Sequence, residues 1–478
     1  MLVILHEPGY FRLYGSMIVE LGRRGWEVLL AFDRPGKRGD VKQVPDGAAE
    51  NVRSLGALPV AGRDGALAAL RAGVDYLRYL EPSFAEASYL RDRSARRLPP
   101  SMGWLRRIGR LPRWVVSAAI AGARAVEAAI PADAAVRRFV RDQAPDLVFV
   151  SPLVTLGAAS GSQTEAVKAA RSLRIPVVVG AASWDHLTSK GLVRVVPDAL
   201  TVWNEVQRRE AVDLHRIPPS RVQVTGAQSL DHWFEARPAD AVARFRAAVG
   251  IEPGRAVVLF VGSSKNMAPG DSEPSFVERW LSALRASAQP VLRNAFVIVR
   301  PHPTNTDPWR DHNPDEWRRR DAAVFPRQYS GIPLTRDEVD LFHDSLLASD
   351  AVVGVNTTAM IEAAIVGRPV LTINDAAFAH SQQQTLHFAH LASADGCALV
   401  AGTLDAHLEQ LHEVLARPGT RAAALARFVG TFVRPGGLDR RATDDLCDAL
   451  EAMSAVRHPV MAETPLDRPA LTSVRRRP

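Results

Sequence analysis

The chain has 478 residues, 47% of them hydrophobic and 23% charged. That is too long for one ordinary core, so two domains are expected, and the composition is that of a globular protein rather than a disordered one. The formal charge of +7 suits an anionic small molecule, an anionic membrane face or nucleic acid.

The two cysteines, Cys397 and Cys447, exclude a disulfide framework and a Cys-based metal site and fit a reducing cytoplasm. The N-terminal run Leu2 to Leu5 stops at His6-Glu7 with no basic stretch before it. It reads as a first strand, not a signal peptide. Further apolar, β-branched runs follow at 27–32, 146–150, 176–179, 199–203 and 222–225, then at 256–261, 295–299, 351–355 and 369–373. Continuous apolar runs imply strands buried on both faces, and alternation with helices implies parallel βαβ sheets. Two such series predict an α/β protein of two doubly wound domains, 1–238 and 239–453, meeting near Arg237-Pro238. A helix from Asp240 to Val249 opens the second series, residues 410–453 read as helical, and the polar, proline-rich tail 454–478 reads as disordered.

Within the first series, residues 91–113 hold eight arginines and one acid, interleaved with Trp104, Leu105, Ile108 and Leu111 at helical spacing. Two readings stand for this basic arm, which runs to about residue 130. Its 91–114 stretch lies on an anionic membrane face, or its apolar side packs on its own domain. The apolar run from Trp114 to Ile130 is broken by Arg124 and Glu127 and is too short to span a bilayer.

In open α/β sheets, ligands bind where strands deliver their carboxyl ends into loops. The 351–355 strand exits into Asn356-Thr357-Thr358 and a helix carrying Glu362. Free amides and hydroxyls there suit a phosphate, although plain N-capping uses the same residue types. The 295–299 strand exits into Arg300-Pro301-His302-Pro303, which clamps a histidine between prolines. The 256–261 strand exits into Gly262-Ser263-Ser264-Lys265. Three anion-suited exits in one half predict a nucleoside diphosphate site, and the chain has no Asp-x-Asp pair to clamp a metal. In the first half, the 2–5 strand exits through His6, Glu7 and Tyr10 to Arg12, where His6 or Glu7 would serve as a general base. The 176–179 strand exits into a polar loop with Trp184, Asp185, His186, Ser189 and Lys190, a binding element or a capped helix start. The 199–203 strand exits into Asn204-Glu205.

Taken together, Ser183-Trp-Asp-His-Leu-Thr-Ser-Lys-Gly191, Val202-Trp-Asn-Glu-Val-Gln207, Val224-Thr-Gly-Ala227, Arg300-Pro-His-Pro303 and Val355-Asn-Thr-Thr-Ala-Met-Ile-Glu-Ala-Ala364 with Gly367-Arg-Pro-Val370 resemble GT-B-fold glycosyltransferases of bacterial surface and capsular polysaccharide synthesis. The likeness extends distantly to CDP-glycerol glycerophosphotransferases and UDP-N-acetylglucosamine 2-epimerases. It implies two Rossmann-like domains facing across a cleft, with C-terminal helices crossing back onto the first. It also implies a nucleotide-sugar donor held by Gly262, Ser263, Lys265, Arg300, His302, Asn356, Thr357, Thr358 and Glu362, the last toward the ribose. A glycan or lipid-linked acceptor would meet Glu7, Tyr10, Trp184, Ser189, Lys190, Asn204 and Glu205. The catalytic candidates are His6 and Asp185 as base, with Glu7 behind them, and His302 at the leaving group. No metal, cofactor or nucleic acid is expected, and the setting is cytoplasmic, peripheral on the inner membrane face. The alternatives are a 2-epimerase of the same fold or a non-catalytic membrane-docking scaffold. The epimerases pair acidic residues after their turn, whereas here Glu362 is followed by Ala363-Ala364.

Overall fold

A computed structural model describes residues 1–34, 43–59, 66–153, 161–326 and 335–455. Except for Ser454 and Ala455, which end the last helix, the tail expected to be disordered lies outside the described residues.

Two parallel sheets organise the chain. The first has seven strands in the order β3-β2-β1-β4-β5-β6-β7. They are β1 (Leu2–Leu5), β2 (Val28–Phe32), β3 (Val52–Ala57), β4 (Val148–Ser151), β5 (Val177–Gly180), β6 (Ala199–Val202) and β7 (Val222–Val224). The second has six, in the order β10-β9-β8-β11-β12-β13. These are β8 (Val257–Val261), β9 (Phe296–Arg300), β10 (Ala322–Val324), β11 (Ala351–Gly354), β12 (Val370–Ile373) and β13 (Ala398–Ala401). Central strands are buried on both faces because helices cover both. Val3 of β1, for example, pairs with Leu30 of β2 and Phe149 of β4. Each such side chain contributes about 1.5–3 kcal/mol by leaving water.

The three strands that the apolar runs did not reveal lie outside the sheet centres. β3 is an edge strand of sequence Val-Arg-Ser-Leu-Gly-Ala, half exposed and bulged against β2. β10 is a three-residue edge strand, and β13 is the opposite edge of the second sheet. Edge strands face water on one side, so their sequences need no apolar run.

Helix α1 (Phe11–Arg23) follows β1, and α2 (Ala359–Ile365) follows β11. The 410–453 region is not one helical segment. It is broken at Arg434-Pro-Gly-Gly437, where proline and Gly437, with φ near 121°, end the preceding turns. The last helix, α3 (Ala442–Ala455), then packs on α1: Leu446, Cys447 and Leu450 share a core with Met17, Ile18 and Leu21. Arg24 ties the pair together through Asp448 at 2.7 Å and Glu451 at 3.0 Å. The last described helix thus rests on the first domain.

The basic arm corrects the expected helical stripe. Pro100–Arg107 is a 3-10 turn, and a helix resumes at Arg113–Ala129. Leu105 is buried with Tyr76, Leu80 and Leu98, while its neighbour Trp104 is 58% exposed and Trp114 is 73% exposed. Prolines 99, 100 and 112 and Gly109 interrupt any long helix here. No single helix among the described residues is long and apolar enough to cross a membrane. The pair Arg113–Ala129 and Ala134–Gln143 would suffice only by summed length. It bends by 73° at its break, and Val116, Ile120, Val136 and Val140 are buried in the domain.

Candidate functional site

Strand order reverses between β1 and β4 and between β8 and β11. At such switch points the flanking loops part and leave a crevice at the strands' carboxyl ends. The exits of β1, β8 and β11 lie at these points, with that of β9 beside β8, and they form the candidate site.

At the β1 exit, a 3-10 turn at Pro8–Tyr10 carries the chain into α1. His6 Nδ1 lies 3.3 Å from Asp33 Oδ2, at an angle too bent for a good hydrogen bond, and its ring meets Tyr10 edge-on. One turn on stands Arg12. It is reached by water yet walled by protein on most sides, as in a cleft, and this crowding lowers its pKa. It makes no ion pair within 4 Å and no hydrogen bond among the described residues. The groups nearest to it electrostatically are Tyr10, Glu362 and Glu7. Burial pushes the Tyr10 phenol up to about 12.

Across the cleft, His302 Nδ1 accepts from the Thr304 backbone amide at 3.1 Å. An amide only donates, so Nδ1 is unprotonated and the neutral ring carries its proton on Nε2. Burial, reinforced by the positive Arg12, lowers the His302 pKa to about 4. His302 is therefore a neutral N–H donor at physiological pH. Burial raises the Glu362 carboxyl to about 7, against the pull of Arg12 and Arg300. The Trp233 indole N–H lies beside it without closing a good hydrogen bond. The Arg300 guanidinium stacks over Phe342 at 4.5 Å.

The loop after β5 closes the cleft. Trp184 Nε1 donates to Thr358 Oγ1 at 3.1 Å, joining the two halves. Asp185 accepts from the Ser183 hydroxyl at 2.8 Å and the Ser189 hydroxyl at 2.6 Å, with Lys190 Nζ at 3.6 Å. Burial pushes its pKa up, but Lys190, His186, His387 and the Ser189 bond outweigh that and hold it well below the usual carboxylate range. A carboxylate so satisfied is a poor proton acceptor.

Solved structures share this fold at low identity. UDP-GlcNAc 2-epimerase from Neisseria meningitidis, bound to UDP-GlcNAc, is 14% identical, with 95% of this chain and 100% of that one covered and a TM-score of 0.53. The 2-epimerase from Methanocaldococcus jannaschii is 10% identical, with 94% and 99% covered and a TM-score of 0.51. A glycosyltransferase from Rickettsia africae is 8% identical, with 95% and 98% covered and a TM-score of 0.49. The fold is GT-B. At these identities the likeness speaks for fold alone. No protein-family model matches the sequence, and no curated protein matches it significantly.

His6, Glu7 and Tyr10 lie at the β1 exit, Asp185 and Lys190 in the loop after β5, and Arg300, His302, Thr357, Thr358 and Glu362 at the β9 and β11 exits; between the halves Trp184 bonds Thr358, and the charge of Arg12 reaches His302 and Glu362. Ser189 is buried, with its hydroxyl on Asp185 and its carbonyl accepting from Arg93. Other expected residues serve different ends. Asn356 is buried; its side chain donates to the Ser381 carbonyl and its amide to Ser263 Oγ at 3.4 Å, so it holds the 381–387 segment. The Gly262 amide donates to the Arg300 carbonyl and the Ser263 amide to Glu273, so neither is left for an anion. Gly262 is needed for contact instead: a Cβ there would stand 2.7 Å from the His302 amide nitrogen. Lys265 is simply exposed. Asn204 caps the following helix and donates to the Phe432 carbonyl at 2.8 Å, and Glu205 is exposed, pairing with Arg208. Helix α2 has barely two turns, so its dipole is a smaller part of any anion seat than its sequence suggested. The charge comes from Arg12, which sequence reading passed over.

Glu273, also passed over, sits behind the β8 exit. It is fully buried; one oxygen accepts from the Ser263 amide at 2.6 Å and the other has no partner. Burial raises its pKa to about 8, against the bonds from Ser263. The folded state then holds this proton more tightly than the unfolded chain, so stability falls as pH rises between about 4.5 and about 8. One such group sets a slope of up to about 1.4 kcal/mol per pH unit. Glu273→Gln removes it, so melting curves from pH 5 to 9 are expected to fall less steeply in the variant. Parallel curves would show that Glu273 does not titrate in this window.

Proposed function

We propose that the cleft transfers a glycosyl group from a nucleoside-diphosphate sugar to a hydroxyl acceptor. The carrying observation is Arg12, a cation with no ion-pair partner within 4 Å among the described residues, whose charge is felt by His302. Arg12 is open to water and walled by protein, with Glu362 and Glu7 only as electrostatic neighbours, so its planar donors are available to an incoming anion. A diphosphate supplies that anion, and its oxygens match the donors of Arg12, His302 and the Thr357 and Thr358 hydroxyls. Glu362 lies within the same enclosure for a ribose hydroxyl.

In this reading His6, with the Asp33 carboxylate 3.3 Å from its ring, takes the acceptor proton as the acceptor oxygen bonds to the anomeric carbon. The bond from that carbon to the diphosphate breaks and its electron pair leaves with phosphate oxygen. Arg12 and the His302 N–H meet the growing charge there. His302 stays neutral throughout, so it donates a hydrogen bond rather than acting as base. Among the described residues no group of three or more His, Cys, Asp or Glu side chains is placed to hold a metal. In this reading Arg12, His302 and Thr358 meet the diphosphate's charge.

A panel of UDP-, GDP-, CDP- and dTDP-sugars tests this. One of them is expected to raise the melting temperature by a few degrees at about 100 times its Kd. A flat response to all four overturns the reading. A second reading, a 2-epimerase, is favoured by the two solved structures above 0.5 in TM-score. It uses the same seat, and proton NMR of the donor alone would show interconversion at C2. Glycosyl transfer predicts no such change.

The envelope role and inner-face location rest on the arm. Arg96, Arg97 and Arg107 are exposed and make no ion pair among the described residues, and Trp104 and Trp114 stand out beside them. Interfacial tryptophan with arginine is the pairing that anionic lipid favours. Replacing the three arginines by Glu is expected to abolish flotation with phosphatidylglycerol vesicles. Unchanged flotation, or none by the unaltered protein, would leave the arm a self-packed element.

A further inference from the structure

A cavity of about 510 Å³ runs beside α1, between it, the 3-10 segment Gln228–Phe234 and the chain that leads into α3. Its size is that of a small-ligand site. Arg12, Ser16 and Arg23 of α1 line it at helical spacings of four and seven residues, so they share one face. Arg441 lines it from the chain entering α3. Arg12 belongs equally to the transfer cleft, where Glu362 and His302 feel its charge.

The charges along this wall do not cancel. Asp231 is consumed: it accepts from Arg434 at 2.6 Å and from the Thr443 amide and hydroxyl, each at 2.7 Å. Glu235 pairs with Arg336 at 2.7 Å. Glu20 is bonded to Arg24 at 3.2 Å and stands only 4.0 Å from Arg23 and 3.8 Å from Arg441. Asp444 lies 3.9 Å from Arg441 but also serves Arg24. Arg12 has no partner of this kind. Three guanidinium groups are thus left facing one cavity with weak or shared counterions. Arg12 and Arg23, eleven residues apart on one helix, are separated by about 16 Å along its axis.

We infer that this groove binds an anionic chain, and that, given the proposed transfer reaction, the chain is an acidic acceptor glycan guided along α1 to Arg12. A single small anion would not use positive groups at both ends of such a groove. A chain bearing phosphate or carboxylate at intervals would. The fold also makes the groove from parts of both halves, because α3 and its approach cross back onto α1.

Calorimetry with inorganic tripolyphosphate, a tetrauronate and uncharged maltotetraose tests the inference and distinguishes phosphate from carboxylate. The full chain is expected to bind at least one of the two anions and not maltotetraose, more weakly as salt rises. Arg23→Gln with Arg441→Gln is expected to weaken that binding at least tenfold, and Arg23→Gln alone by less. The melting shift given by a nucleotide-sugar should persist in both variants, since neither residue is in the donor seat. Failure of both anions to bind, or binding indifferent to the double substitution, overturns the groove. Absence of any nucleotide-sugar shift in the unaltered protein would instead sink the transfer reading, while the anion titrations would still report on the groove.

Discussion

Arg12→Ala is expected to weaken donor binding about 100-fold, equivalent to about 2.7 kcal/mol, while leaving the melting temperature nearly unchanged. The two halves of this expectation have one cause. A residue that holds a fold together leaves a partner behind when removed, and Arg12 has no ion-pair partner to leave. Its deletion therefore costs the fold little and costs an incoming diphosphate much. A second signature follows from its neighbours. Arg12 opposes the burial that raises Glu362 and adds to the burial that lowers His302. Without it, both pKa values should rise: Glu362 above about 7 and His302 from about 4 toward the ordinary imidazole value. NMR titration of the imidazole resonances in the variant reads the second shift directly. Arg12→Lys should recover part of the affinity, because it restores the charge without the planar fork. Full donor affinity in Arg12→Ala would remove the residue from the seat, and a collapse of the melting temperature would make it structural.

Legibility of the fold follows burial. Leu2-Val-Ile-Leu5 and Val257–Val261 are central strands, and their two-faced burial wrote itself as apolar runs. β3 reads Val-Arg-Ser-Leu-Gly-Ala because one side meets water, and nothing in such a string separates an edge strand from a loop. The arm misled for a related reason. Residues 104, 105, 108 and 111 fit a helical stripe, but Pro99, Pro100, Gly109 and Pro112 hold the chain in a 3-10 turn and extended links, which send Leu105 inward and Trp104 out. In the site, sequence located the exits because topology fixes where strands end. It misjudged individual residues because a side chain's role depends on what the opposite sheet offers. Asn356 and Ser263 have the chemistry of a phosphate seat, and are spent on each other and on residues 381–387 and 273. Arg12 looked like one arginine among many. Only the folded chain shows it stranded between His302 and Glu362.

His6→Ala is expected to lower kcat by a factor of about 10² to 10⁴ with donor affinity retained, the range for loss of a general base. Local sequence ranked His6 and Asp185 together, and the geometry separates them. Asp185 is a carboxylate with two hydroxyls and an ammonium already on its oxygens, and its depressed pKa makes proton capture unfavourable. His6 Nδ1 stands 3.3 Å from Asp33 Oδ2 without closing a hydrogen bond, and no hydrogen bond within the described residues occupies the ring. Asp33→Asn should then lower kcat by about tenfold or more, because the carboxylate 3.3 Å from the ring, which would stabilise the imidazolium formed on proton capture, loses its charge. Asp185→Asn should act differently. It frees Lys190 and loosens the loop that carries Trp184 to Thr358, so its cost should fall on KM for the donor more than on kcat. The split between kcat and KM decides between the two assignments: a kcat defect confined to Asp185→Asn, with His6→Ala turning over normally, would reverse them.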